Sequence, residues 1–74
     1  MTKADFLENL QDLFQRDDAL TEEMELRDLP EWDSLSMMAI AGFFDTNFKQ
    51  SLDFTDFEQF ITVGDLLKKA GFEA

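Results

Sequence analysis

The sequence predicts an all-α domain, a small bundle of three to four helices with a long loop after the first. Three observations predict it. Apolar residues recur at helical spacing in separate stretches. Thr-x-x-Asp pairs stand at two of the expected helix starts, at Thr2 and at Thr62. No stretch shows the apolar–polar alternation of a half-buried strand. Seventy-four residues allow one domain, 1–74, and one core. A chain of that size buries only roughly 60% of the surface that its unfolded form exposes, so modest stability is expected.

Thr2 to about Gln15 reads as an amphipathic helix. Phe6, Leu10, Leu13 and Phe14 share a face, Leu7 widens it, and Asp5, Glu8 and Asp12 fall largely off it. Thr2 and Asp5 form a capping-box pair with Asp in place of the usual Glu or Gln. Acid in the first turn also suits the positive end of the helix dipole. Residues 16–33 read as a long ordered loop. Eight acids and one Arg lie between Asp17 and Asp33, and Leu20, Met24, Leu26 and Leu29 are too irregularly spaced for a helix. They are expected to pin the loop over the core, and Pro30 fits a turn before the next helix.

Asp33 to about Asn47 reads as the second helix, with Asp33 as its N-cap. Leu35, Met38, Ala41 (or Gly42), Phe44 and Phe48 fit one inward stripe. A short connection begins at Leu52. Thr55 to Gln59 reads as a short helix or turn, with Phe54, Phe57 and Phe60 expected to face inward. Thr62-Val63-Gly64-Asp65 opens a last helix to about Ala70, whose apolar face is Val63, Leu66 and Leu67. Lys68 and Lys69 suit its negative end, and Gly71 stops it.

Composition excludes several classes of function. With no Cys and no His, neither a disulfide, a Ser-His-Asp set nor a Cys-His pair can be built from this chain. An enzyme is therefore not expected, nor a metal site. The acids lack the Asp-x-Asp/Asn-x-Asp/Asn-Gly pattern of an EF-hand loop. No apolar run reaches the ~20 residues of a membrane span, and no signal-type apolar region opens the sequence, so a cytoplasmic protein is the default expectation. Six basic and 17 acidic residues give a net charge of −11. That disfavours nucleic acid and anionic membrane surfaces as partners and favours basic protein surfaces. Disorder is the obvious alternative for so acidic a chain. The 45% hydrophobic content, with nine Phe, weighs against it by supplying a core.

One serine stands out: Ser34, in the context Leu29-Pro30-Glu31-Trp32-Asp33-Ser34-Leu35, at the point where the acidic loop gives way to the second helix. An isolated Asp-Ser pair is no more than a helix start. Here it is joined by Phe48 beyond the second helix, by Ile61-Thr62-Val63-Gly64-Asp65-Leu66, and by the absence of His and Cys. Together, over nearly the whole chain, these features resemble the acyl carrier protein family. The resemblance implies the bundle of that family and a free-standing, monomeric carrier. It also implies that Ser34 takes 4′-phosphopantetheine from coenzyme A through a separate phosphopantetheinyl transferase. The arm's thiol would carry acyl groups as thioesters to loading and processing enzymes of a fatty-acid, polyketide or other specialised pathway. By position, Asp33 and Leu35 flank the attachment residue, Asp33 capping the helix and shaping the site. A helix start tolerates a phosphodiester because its first amides are unpaired and its dipole is positive there.

The second helix departs from the acidic pattern of such carriers. From Ser34 to Asp45 only Asp45 is acidic. Met37, Phe43 and Ile40 cannot all turn inward together with Met38 and Phe44. Two readings stand side by side. One is a broad buried face; the other is an apolar docking face that uses adaptable Met and small Ala and Gly. Trp32, Met37, Phe43, Asp45 and Ile61 are the candidate partner contacts, with Trp32 equally a core anchor for the loop. The alternatives in function are an aminoacyl or peptidyl carrier with the same arm, and an unmodified acidic helical adaptor.

Overall fold

The computed structural model describes residues 1–72; the last two residues of the expected 1–74 domain lie outside the described residues. The chain forms α1 (Lys3–Phe14), α2 (Ser34–Phe48), α3 (Phe54–Gln59) and α4 (Val63–Ala70), with a single 3-10 turn at Leu26–Asp28 in the long loop. The Cα radius of gyration is 11.0 Å. A compact chain of this length should measure about 11 Å and an unfolded one roughly 26 Å, so the acidic chain is packed.

All four helices open with the same device. Thr2, Asp33, Asp53 and Thr62 each accept a hydrogen bond from the amide three residues on, and the side chain at that third position accepts from the cap amide. Each box satisfies two donors that a helix start otherwise leaves unpaired. α1 and α2 end on non-glycine residues in the left-handed conformation, Gln15 (φ 56°) and Lys49 (φ 54°). α4 ends on Gly71 (φ 102°), which adopts that conformation without steric cost.

The core is built from Phe6, Leu10 and Phe14 of α1, Ile40 and Phe44 of α2, Phe57 of α3 and Val63, Leu66 and Leu67 of α4. Phe6 is its hub. Its ring lies 5.5–5.9 Å, centroid to centroid, from those of Phe43, Phe44, Phe48 and Phe72. The pairs with Phe43 and Phe44 are edge-to-face and those with Phe48 and Phe72 are tilted; edge-to-face pairs add about 0.5–1.5 kcal/mol each beyond their burial.

The long loop is ordered over this core. Leu20, Leu26 and Leu29 are buried and Met24 packs against the cluster, as the sequence predicts. The loop also pairs with the start of α4. Leu26 N–H donates to Ile61 O (2.8 Å), Val63 N–H to Met24 O (3.0 Å) and Gly64 N–H to Glu22 O (3.0 Å).

Two expectations about facing are corrected. Leu35 and Met38 are not part of an inward stripe; they are 76% and 71% exposed, while Ile40 is fully buried and Met37 and Phe43 are half-buried against the core. The reason is that α2 is apolar all round, so its periodicity has no phase for a reader to find. Phe54, expected inward, is 65% exposed at the first position of α3, and only Phe57 of that helix is buried.

Candidate functional site

Ser34 is the first residue of α2 and is exposed. Its neighbours, not Ser34 itself, close the helix start. Ser36 N–H donates to Asp33 Oδ1 (2.9 Å), and Asp33 N–H donates to Ser36 Oγ (3.0 Å). The Ser36 hydroxyl donates back to the Asp33 carbonyl (2.9 Å) and is buried there. Asp33 therefore caps the helix as expected, and Ser36 does the reciprocal work. The Ser34 hydroxyl is left free of the box, beside first-turn amides that have no intrahelical acceptor.

The segment before Ser34 is held from two sides. Arg16, just past α1, pairs with Glu31 at 3.0 Å, and the Arg16 side chain is only 14% exposed. The Trp32 ring packs edge-on to Phe14 (6.3 Å) and tilted to Phe57 (6.1 Å). Trp32 thus anchors the loop to α1 and α3 while one side of it stays open. A surface ion pair is worth little, but a largely buried arginine reaching one carboxylate fixes the chain that leads into the serine.

Ser34 opens onto an apolar groove of about 210 Å³ between α2 and α3, walled by Met37, Met38, Ala41, Leu52, Phe54 and Phe57, with Asp53 at its edge. A wider cleft of about 490 Å³ adjoins it and shares Met37, Phe54 and Phe57. Trp32, Phe60 and Ile61 complete its apolar lining, and Glu25, Arg27 and Glu58 stand at its rim. The wider cleft is of the size that a small ligand occupies, and the groove beside Ser34 is smaller than that.

The structure brings three of the candidate contacts together, since Trp32, Met37 and Ile61 line that wider cleft. The others lie elsewhere. Leu35 projects into solvent on the other side of Ser34, beside a shallow groove with Ala39 and Leu13. Asp45 is exposed in the last turns of α2. Phe43 sits in the aromatic cluster, 5.7 Å from Phe6 and 5.8 Å from Phe48, which makes it a packing residue first. The sequence reading missed Met38, Ala41, Leu52 and Phe54 as groove residues. For Met38 and Ala41 a signal existed, because they follow Ser34 by four and seven residues and so share its face. Nothing local marks Leu52 and Phe54, whose role depends on how α3 docks.

Two carboxylates at helix starts titrate low. Asp65 is held below its ordinary value of 3.8 first by the Thr62 amide and then by the Ile61 amide, which donate to it at 3.0 and 2.8 Å. Asp5 is lowered by the amide and then the hydroxyl of Thr2. Both are capping carboxylates rather than acids tuned for chemistry.

The chain matches no protein-family model, no curated protein and no solved structure. Among the described residues no cluster of His, Cys, Asp and Glu could hold a metal ion. No helix among them is long and apolar enough to cross a membrane.

Proposed function

We propose that this chain is a carrier protein of the acyl carrier type, with Ser34 as the attachment residue for 4′-phosphopantetheine. One observation carries the reading: an exposed serine hydroxyl, left out of its own helix cap, stands at the mouth of an apolar groove. The residues fit the group in three ways. The hydroxyl is accessible to another enzyme. The unpaired amides at the start of α2 and the helix dipole favour a phosphodiester there. The groove gives an apolar cargo a wall to lie against. When bound, the group supplies a thiol that holds an acyl chain as a thioester.

In the attachment step the Ser34 Oγ–H gives its proton to a base of the transferase. Oγ forms a bond to the β-phosphorus of coenzyme A, and the pyrophosphate P–O bond breaks, releasing adenosine 3′,5′-bisphosphate. Asp33 keeps the helix start closed throughout, so no fold change is needed. Arg16 and Glu31 hold the approach segment, and the acidic loop attracts enzymes with basic surfaces.

The test is intact mass after incubation with a broad-specificity phosphopantetheinyl transferase and coenzyme A, with Ser34→Ala as control. The expected result is one phosphopantetheinyl addition on the folded chain and none on the variant. No addition with several transferases would favour the unmodified adaptor. That second reading draws on the apolar surface at Leu35, Met38 and Phe54, which could recruit partners without an arm.

A further inference from the structure

The aromatic side chains fall into two groups with opposite fates. Phe6, Phe43, Phe44, Phe48 and Phe72 close round one another, with the Phe6 ring fully buried at their centre. The second group is built on Trp32 and stays open. Trp32 meets Phe57 at 6.1 Å and an interplanar angle of 59°, and Phe57 meets Phe60 at 5.8 Å and 88°. These three rings, with exposed Phe54, line the cleft of about 490 Å³ that lies between the long loop and α3. Rings set at steep angles enclose a space, where stacked rings would fill it.

Aliphatic walls would give a ligand the same apolar contact. What aromatic walls add is a negative ring face, which attracts a cation. The charge at the rim points the same way. Glu25 already pairs with Arg27, at 3.4 Å. The other ion pairs among the described residues are Lys3–Glu22 and Arg16–Glu31, so Glu58 has no basic partner there. The rim is left with one uncommitted carboxylate, and the chain's −11 draws cations towards it and repels anions. A hard metal ion takes several oxygen ligands, which a cleft walled by rings does not offer. A weakly hydrated organic cation suits both the rings and the single carboxylate.

We propose that the cleft walled by Trp32, Phe54, Phe57 and Phe60 is a binding site for a small organic cation, an alkylated ammonium group on an apolar body. The ammonium lies against the ring faces with Glu58 as its counter-charge, and the apolar body lies along Met37 and Ile61. The volume is that of a small-molecule site, and two of the four walls, Trp32 and Phe57, are fixed in advance by their packing. Binding is non-covalent and needs no arm on Ser34, so this proposal and the carrier reading can fail separately.

The chain has one Trp and no Tyr, so its intrinsic fluorescence reports on Trp32 and therefore on the cleft. The probe is benzyltrimethylammonium, titrated into the unmodified full chain at about 0.15 M salt, where long-range charge effects are screened. Two controls have a similar size: 2,2-dimethyl-3-phenylpropan-1-ol, which puts carbon in place of the charged nitrogen, and phenylacetate, an anion. Amide chemical shifts map the site. The cation is expected to give a saturable change, with shifts centred on Trp32, Phe57 and Phe60, and to bind more tightly than either control. Phe54→Leu and Glu58→Gln each alter an exposed side chain, and each is expected to weaken binding about three- to fivefold with no fall in melting temperature. If Phe54→Leu melts lower, Phe60→Leu carries the same expectation. Any of four results overturns the proposal: no saturable change with the cation, either control binding as tightly, shifts centred on the acids at 17–23, or unchanged affinity in either variant.

Discussion

Helices α2 and α4 are built on opposite plans. α4 buries Val63, Leu66 and Leu67 completely and turns Lys68 and Lys69 to water. Its solvent side is marked by charge, and its orientation can be read from eight letters. α2 buries Ile40 and Phe44 just as completely, yet its solvent side is Leu35, Met38 and Gly42. Charge rather than hydrophobicity is what tells a reader which way a helix faces. Where charge is missing from an outward face, that face is available for something other than water.

The sharpest way to break this comparison is to truncate the two sides of α2. Phe44→Ala removes a fully buried ring that lies 5.9 Å from Phe6 and 5.4 Å from Phe48. It should cost about 3–5 kcal/mol, a large share of the stability of so small a domain. Leu35→Ser and Met38→Ser, on the opposite face, should each change stability by less than about 0.5 kcal/mol. Urea unfolding of the three variants gives the answer. Similar losses in all three would mean that the outward strip is packed in solution.

The same contrast explains how far the sequence could be read. Helix boundaries were legible because they are written locally. Thr2, Asp33 and Thr62 cap the helices they were expected to cap, and Gly71 stops the last one. The loop anchors were legible because Leu20, Leu26 and Leu29 are apolar islands in an acidic stretch. The rest depends on contacts between distant residues. The antiparallel bridge from Glu25 to Thr62 and the 3-10 turn at Leu26–Asp28 have no local signature. The Asp53–Asp56 box was hidden because two acids do not look like a reciprocal pair. Of the site, Ser34 and Asp33 were visible in the letters. The groove was not, because its far wall, Leu52 and Phe54, is set by the docking of α3.

A smaller effect separates the caps from the core. Asp65→Ala removes the acceptor for both the Ile61 and Thr62 amides and should cost about 1 kcal/mol at neutral pH. The sign with pH follows from the lowered value. In the folded chain Asp65 titrates below 3.8, its ordinary value, so its contribution is complete above that pH. As pH falls below it, the unfolded chain takes up the proton first, and the contribution drains away through the folded value. The melting-temperature gap between the parent and Asp65→Ala should therefore be constant from pH 7 to about 5 and close in more acid solution. Relief of repulsion among the remaining acids is common to both proteins and does not enter the difference. A gap that persists at full protonation would assign the stabilisation to packing instead.

The smallest test compares the two glycines, and it tests the contrast between the helices most directly. Gly64 of α4 is buried, and its amide donates to the Glu22 carbonyl at 3.0 Å; an added Cβ would come within 3.2 Å of that same oxygen. Gly64→Ala must push back the loop strand that pairs with α4, and it should destabilise by about 1 kcal/mol despite the better helix propensity of alanine. Gly42 faces open space, so Gly42→Ala meets no obstacle and should stabilise by up to about 1 kcal/mol. Opposite signs in chemical unfolding would show that the glycine of α4 serves the fold and that of α2 does not. A loss at both positions would place a contact over Gly42 within the free chain. That contact would make the solvent side of α2 part of the packing, and the contrast between the two helices would lapse.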